Sequence, residues 1–236
     1  MPELSTPAHD HHSMPFPQLL RVDASARIDG SVSRTMGDAF TKSWLAHQPV
    51  ESIHVLDLAQ QPVAQIDSTT IGGFFTPAEQ RTTEMTHAIA DSDVLIQMLK
   101  AADALLITVP MYNFGIPAAL KAWIDQIVRI HETFAFDGSN FTGLLSGKTA
   151  YVAVSYGAAG YLDQGAFAGA NFVEPYLRFI LQFIGFTHVH VYSIEATTVE
   201  PNAVAERLEA VSALMQHDLA NSAFARALTN ETRGQS

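Results

Sequence analysis

The stretch "DALLITVPMYNFGIPAALKAWID", Asp103 to Asp125, contains one complete strand-to-helix passage. Asp103 to Pro110 form an almost unbroken apolar run, the pattern of a strand buried on both faces of a parallel sheet. The period then changes: Leu120, Trp123, Ile124, Ile127 and Val128 fall on one helical stripe. Between the two stand Met111, Tyr112, Asn113 and Phe114, where a turn usually carries small polar residues. A thioether and two aromatic rings around an amide suit a flat ligand with apolar faces and a polar rim. The competing reading is a strand end closed by core aromatics.

Outward from this stretch the same alternation repeats. "LLRVDAS" reads as a first strand, weakened by Arg21, and "SRTMGDAFTKSWLAH" as a helix with Met36, Phe40, Trp44 and Leu45 at helical spacing. "VESIHVLDLA" alternates Ile53 and Val55 with polar neighbours, as a second strand does. Residues 60–76 read as a long irregular connection. Thr76, Pro77 and Glu79 predict the start of a helical region reaching about Ala102. "KTAYVAVS" is another buried strand, "FVEPYLRFILQFIGF" a helix ending at Gly185, and "HVHVYSIEA" a fifth strand. Pro201 to Leu228 predict the last helix, an amphipathic one with no membrane role. Parallel strands need crossovers, which the helices supply, so a doubly wound five-stranded parallel α/β sheet with helices on both faces is expected. Ligands of such sheets sit at the carboxyl ends of the strands, so the exit loops are where chemistry is sought.

Composition narrows the classes. A chain of 236 residues, 47% hydrophobic, can bury the core of one α/β domain. No apolar run approaches the ~20 residues of a membrane span. The formal charge of −11 disfavours nucleic acid, although one small anion can still be held by local amides. With no cysteine, disulfides, thiolate catalysis and cysteine–zinc sites are excluded. The first residues lack a basic segment followed by an apolar one, so the default expectation is a cytoplasmic location. Residues 1–17 read as a flexible tail and 18–230 as the domain. In the tail, His9, Asp10, His11 and His12 are metal-ligand types without a scaffold to fix them. His188 and His190 share a strand face without a third ligand in view, and read as a polar face.

Three exit loops carry candidate binding residues. The first holds Ser25, Ser31, Ser33 and Thr35 before a helix, with Arg27 and Arg34 nearby. Hydroxyls, unpaired amides and the dipole at a helix start suit a phosphate; a serine-rich cap with no ligand is the plainer reading. The loop is neither GxGxxG nor a Walker loop, which argues against dinucleotide and nucleoside-triphosphate folds. The second loop is "PMYNFG" and the third is "SYGAAGY", Ser155 to Tyr161, whose glycines allow close backbone approach.

The serine spacing at Ser25, Ser31 and Ser33, "MYNF" followed by "GIPAALKAWID", and the Ser155-x-Gly157 loop together resemble the FMN-dependent NADH azoreductases, also called FMN-dependent NADH:quinone oxidoreductases, of flavodoxin-like fold. The resemblance runs from about Gln18 to Leu219. It implies that Ser25, Ser31, Val32 and Ser33 bind the FMN phosphate, and that Met111, Tyr112, Asn113 and Phe114 wrap the isoalloxazine ring. Ser155, Tyr156, Gly157 and Ala158 would lie at the ring's polar edge. Phe136 and Phe183 match substrate-site positions that the family completes across a homodimer interface. The implied activity is ping-pong two-electron reduction of quinones and azo compounds by NADH or NADPH, with no catalytic side chain and no metal. One departure stands out: the family's third loop commonly reads Ser-Arg-Gly-Gly, and here Tyr156 replaces the arginine. His131 and Glu132 also stand where small residues are expected; His131 reads as a solvated helix end rather than a proton donor. The alternatives are an NADH:FMN reductase that releases reduced flavin, a flavodoxin-type electron carrier without an NADH site, and a flavin-free interaction protein. The long segments 60–76 and 133–146 argue against the carrier.

Overall fold

The computed structural model describes residues 16–199, 201–222 and 224. Strands β1 (Leu19–Asp23), β2 (Ile53–Asp57), β3 (Ala104–Pro110), β6 (Thr149–Ser155) and β7 (His188–Ile194) form one sheet in the order β2-β1-β3-β6-β7. Every neighbouring pair is parallel. The remaining strands, β4 (Phe134–Phe136) and β5 (Phe141–Gly143), pair with each other as a small antiparallel hairpin. The chain leaves β1 toward one side of the sheet and returns for β3 on the other. The strand order therefore reverses between β1 and β3, and a crevice opens at their carboxyl ends.

Alternation along the strands builds two cores. Leu19, Ala104, Leu106, Tyr151 and Tyr192 face helices α1 (Val32–Leu45) and α7 (Pro201–Ala220), meeting Met36, Phe40, Trp44, Met215 and Leu219. Leu20, Val22, Leu105, Ile107 and Val109 face the other way, toward α4 (Ala90–Ala101), α5 (Ala118–Ile127) and α6 (Glu174–Phe183). All seven residues of β3 are buried, because helices cover both of its faces. The helical stripe ends at Ile127, with Val128 as its carboxyl cap.

Three segments differ from the sequence reading. Residues 60–76 contain a helix, α2 (Ser68–Phe75), capped by Asp67, whose carboxylate accepts from the Thr70 amide at 2.8 Å. Paired glycines 72 and 73 obscure it by lowering helix propensity. A β-carbon on Gly73 would lie 2.6 Å from Ile89 Cγ2, so its absence lets the helix pack closely. Thr76 accordingly ends a helix instead of starting one. Its amide and hydroxyl both donate to the Gly72 carbonyl, at 3.0 and 2.7 Å. Thr82 caps the next helix, α3 (Thr83–Ala88), and the helical region breaks at Ile89 before α4.

The second difference is β2, where Leu56 is buried and Val55 is exposed, since an edge strand is only partly covered. Third, residues 133–146 fold into the β4–β5 hairpin. Arg21 proves no weakness in β1, because the buried carboxylate of Asp23 and the exposed one of Asp38 meet its charge. Residues 1–15, including His9 to His12, and the end of the predicted last helix lie outside the described residues.

Candidate functional site

Beneath the first exit loop lies a buried cluster of ions. Asp23, the last residue of β1, accepts from Arg21 Nε at 2.9 Å and from the Thr108 hydroxyl at 2.7 Å. Its second oxygen is 3.4 Å from Arg34 Nη1. Arg34, in the first turn of α1, forms a two-pronged pair with Asp57 at 2.8 and 2.7 Å. These hydrogen bonds hold the Asp57 carboxyl at about 2, against the opposing effect of burial. The same guanidinium reaches under the loop. Its Nε donates to the Arg27 carbonyl at 2.9 Å and its Nη2 to the Ser25 carbonyl at 2.8 Å. The positive charge of Arg34 is thus spent inside the protein. Arg27, by contrast, is exposed at the cleft.

Above the cluster, α1 begins without a side-chain cap. Ser31 occupies the cap position in extended conformation, but its hydroxyl lies 3.2 Å from that of Ser33 instead of on a backbone amide. No acidic residue stands in the first turn. An uncapped helix start with two hydroxyls beside it is a ready anion site.

The second loop answers why "MYNF" stands at a strand exit. Tyr112 and Gly115 exchange backbone hydrogen bonds, both 3.0 Å, closing a two-residue turn. Its central residues, Asn113 and Phe114, both have positive φ, 47° and 70°. Two positive φ values mark the mirror-image turn that joins tightly paired strands. Asparagine tolerates this region and phenylalanine does not, so backbone strain is held at Phe114. The turn projects its rings: Tyr112 and Phe114 are exposed, and Phe114 meets Tyr161 edge-on with centroids 6.3 Å apart.

The third and fourth loops close the cleft. The Ser155 carbonyl accepts from the Met111 amide at 2.9 Å, joining the second loop to the third. Thr198 donates its hydroxyl to the Gly157 carbonyl at 2.9 Å, and Thr197 its hydroxyl to that of Tyr156 at 3.1 Å. The Tyr156 side chain does not enter the cleft. It is fully buried, stacks on Tyr161 at 5.5 Å, and its hydroxyl accepts from Asn171 Nδ2 at 3.1 Å. Burial pushes this phenol up to about 12.

Ser25, Arg27, Gly30, Ser31 and Val32 from the first loop, Pro110, Met111 and Tyr112 from the second, and Ser155 and Gly157 from the third line one cleft with Thr197 and Thr198. Its volume, open mouth included, is about 630 Å³. Ser33 lies buried beside Ser31, while Asn113, Phe114 and Ala158 are exposed and do not line the cleft. Phe136 and Phe183 sit apart from it, in an aromatic cluster of the β4–β5 hairpin and α6. There Phe141 stacks on Phe136 at 4.6 Å and meets Phe183 at 5.5 Å. His131 is exposed with φ of 66°, and Glu132 pairs with Lys100 at 2.6 Å. No cluster of three metal-ligand types occurs among the described residues, and no described helix is long and apolar enough to cross a membrane.

Sequence reading missed the fourth loop and misassigned Arg34. The rule that ligands sit at strand exits applied equally to the threonines after the fifth strand. The role of Arg34 had no local signal, because its partners come from β1, β2 and the first loop.

Residues 17–218 match the family model described as flavodoxin-like fold. The chain is 54% identical over 173 residues to the FMN-dependent NADH:quinone oxidoreductase of Xanthobacter autotrophicus, covering 73% of this chain and 83% of that one. Among solved structures it resembles an azoreductase from Bacillus anthracis with a TM-score of 0.79 at 23% identity, over 88% of this chain and 100% of the other. An FMN-dependent NADH-azoreductase from the same species, in complex with FMN, gives 0.76 at 22% identity, over 86% and 99%. The structural likeness supports the fold, and the sequence likeness the family: this chain belongs to the FMN-dependent NADH:quinone oxidoreductases of flavodoxin-like fold.

Proposed function

We propose that the cleft binds FMN and that the chain uses NADH to reduce quinones, and azo compounds as secondary acceptors, in alternating two-electron half-reactions. The observation that carries this reading is the pairing, in one cleft, of an uncapped helix start at Ser31 with the aromatic turn beginning at Met111. The residues fit the cofactor by chemistry. The phosphate finds amide donors, serine hydroxyls and the Arg27 guanidinium. The flat ring finds Met111 and Tyr112, whose side chains suit apolar faces. Bound FMN would supply the redox chemistry, the capacity to take up a hydride and to give up two electrons with its proton, the second proton of a reduced quinone coming from solvent.

The protein's own contribution is positional. Ser31, Ser33 and Arg27 fix one end of the cofactor, while the Met111–Phe114 turn and the Gly157 loop set the plane of the other. In this reading the backbone amides and Asn113 at the turn offer hydrogen bonds to the ring's polar rim. No side chain in the cleft is assigned as an acid or base. We further propose that two copies of the chain pair, so that Phe136 and Phe183 of each wall the acceptor space of its partner. Their exposed aromatic cluster is the feature that supports pairing.

The test is an absorbance spectrum of purified, dialysed protein incubated with FMN, then reduced anaerobically with NADH. Bound flavin that bleaches with NADH and recovers with a quinone is the expected result. Flavin that binds but stays oxidised points to an electron carrier, and flavin lost on reduction points to a reductase that releases it. Failure to bind FMN ends the reading.

A further inference from the structure

The strongest unassigned feature is the underside of the phosphate loop. Arg34 is one residue doing three things from the first turn of α1. It ties the Ser25 and Arg27 carbonyls, at 2.8 and 2.9 Å, and it locks onto Asp57 of β2 through both oxygens. It is 9% exposed. A peptide carbonyl is an acceptor, and one turned into the cleft would repel a phosphate. Tying two of them inward leaves the outer face of the loop to donors: the amides of α1's first turn, the Ser25 and Ser31 hydroxyls, and Arg27.

We infer that Arg34 is a positioning residue for the cofactor's phosphate, acting through loop geometry and not through its own charge. Asp57 is its anchor: by accepting from both terminal nitrogens, Nη1 and Nη2, it fixes the guanidinium plane whose Nε and Nη2 meet the carbonyls. The charge of Arg34 is already answered by Asp57 and by Asp23, 3.4 Å away, so its field at the cleft is small. Arg27 differs in kind. It is exposed and acts as a plain cation, whose attraction salt screens. The inference rests on the proposal that the cleft binds FMN.

The geometry separates shape from charge, and so does the experiment. FMN and riboflavin affinities are measured by flavin fluorescence quenching for the wild type, Arg34→Lys, Arg34→Gln and Arg27→Gln, at low and high salt. Lysine keeps the charge but cannot hold two carbonyls and a carboxylate in one plane. The expected result is a loss of FMN affinity of about tenfold or more in both Arg34 variants, the scale of two lost hydrogen bonds. Riboflavin, lacking the phosphate, should bind each of them as it binds the wild type. Arg27→Gln should weaken FMN by less, and only at low salt.

If Arg34→Lys binds FMN like the wild type, charge and not shape is what matters, and the inference falls. It falls equally if FMN and riboflavin weaken in parallel, since that marks a general loss of structure. Should the Arg34 variants not fold, Asp57→Asn frees the guanidinium without removing it. A selective loss of FMN affinity there supports the inference, and unchanged FMN affinity overturns it. A wild type that binds neither flavin overturns both this inference and the proposed function. A wild type that binds both, with Arg34 variants that do not discriminate, overturns this inference alone.

Discussion

The two ends of the cleft are built on opposite principles. The end proposed for the phosphate rests on a buried ionic lattice in which Arg21, Asp23, Arg34, Asp57 and Thr108 satisfy one another. The end proposed for the ring is a four-residue turn with an unfavourable backbone at Phe114 and two exposed aromatic rings. A phosphate is the same in every complex, so a rigid receptor suits it. In the proposed reaction the ring is approached by a nicotinamide and then by an acceptor of different shape, so its seat gains from exposure. The difference also predicts how damage at each end divides between stability and binding.

The largest effect is expected at Asp23, which is 3% exposed. Asp23→Ala leaves Arg21 without its nearest buried partner and the Thr108 hydroxyl without an acceptor. Breaking a buried ion pair from one side costs about 3–5 kcal/mol. Urea unfolding should show that loss even with no cofactor present. A loss below about 1 kcal/mol would mean that the lattice serves the ligand and not the fold, and the contrast between the two ends would collapse.

The next effect is one of pH. Asp57 is held at about 2 by Arg34, against about 3.9 in an unfolded chain. A depressed carboxylate contributes stability that is present above the unfolded value and is lost as pH falls through the folded one. The pair should therefore supply about 2 kcal/mol at neutral pH, lost progressively between about pH 4 and pH 2. Asp57→Asn should remove that acid-dependent step from the stability curve. An unaltered curve would assign acid sensitivity to other carboxylates.

A smaller effect is expected at Tyr156, which stands behind the cleft and supports it. Tyr156→Phe removes the acceptor from Asn171, whose own carbonyl caps the start of α6 through the Val173 and Glu174 amides at 3.2 and 3.3 Å. The expected cost is about 1 kcal/mol in stability with FMN affinity unchanged. Weakened FMN binding with unchanged stability would place the tyrosine hydroxyl in the ring site after all.

What the sequence could and could not show follows the same division. Local pattern sufficed for the five strands: β3 and β6, covered on both faces, write themselves as apolar runs, and the edge strands β2 and β7 alternate apolar with polar residues. It also pointed to the strand exits, where Ser25, Ser31, Met111 and Ser155 line one cleft. Local pattern failed wherever the reason for a residue is distant. Gly72 and Gly73 read as a loop because the neighbour that needs Gly73 small is Ile89. Arg21 read as a flaw in β1 because its partner Asp38 is a full helix turn into α1. Tyr156 read as a substitution toward the ligand because sequence cannot tell that its side chain turns inward onto Asn171. The ring turn was legible in composition but not in conformation. Nothing in "MYNF" announces a phenylalanine with positive φ, because that backbone is imposed by the paired bonds between Tyr112 and Gly115.

That imposed backbone gives the smallest predicted change in stability and the clearest contrast with Asp23. Phe114 is half exposed, so its side chain contributes little burial, and its edge-on contact with Tyr161 is modest. A non-glycine residue in an unfavourable φ region stores ~1–3 kcal/mol, and asparagine relieves part of that because it adopts the left-handed region more readily. Phe114→Asn should therefore leave stability unchanged or raise it by up to about 1 kcal/mol. FMN affinity should fall by about tenfold if the Phe114 ring closes over the bound cofactor as proposed. Stability up and affinity down is the reverse of the pattern expected at a core position. A variant that loses both together would show that the turn, like the phosphate loop, is part of the framework, and that its strain has no bearing on the ligand.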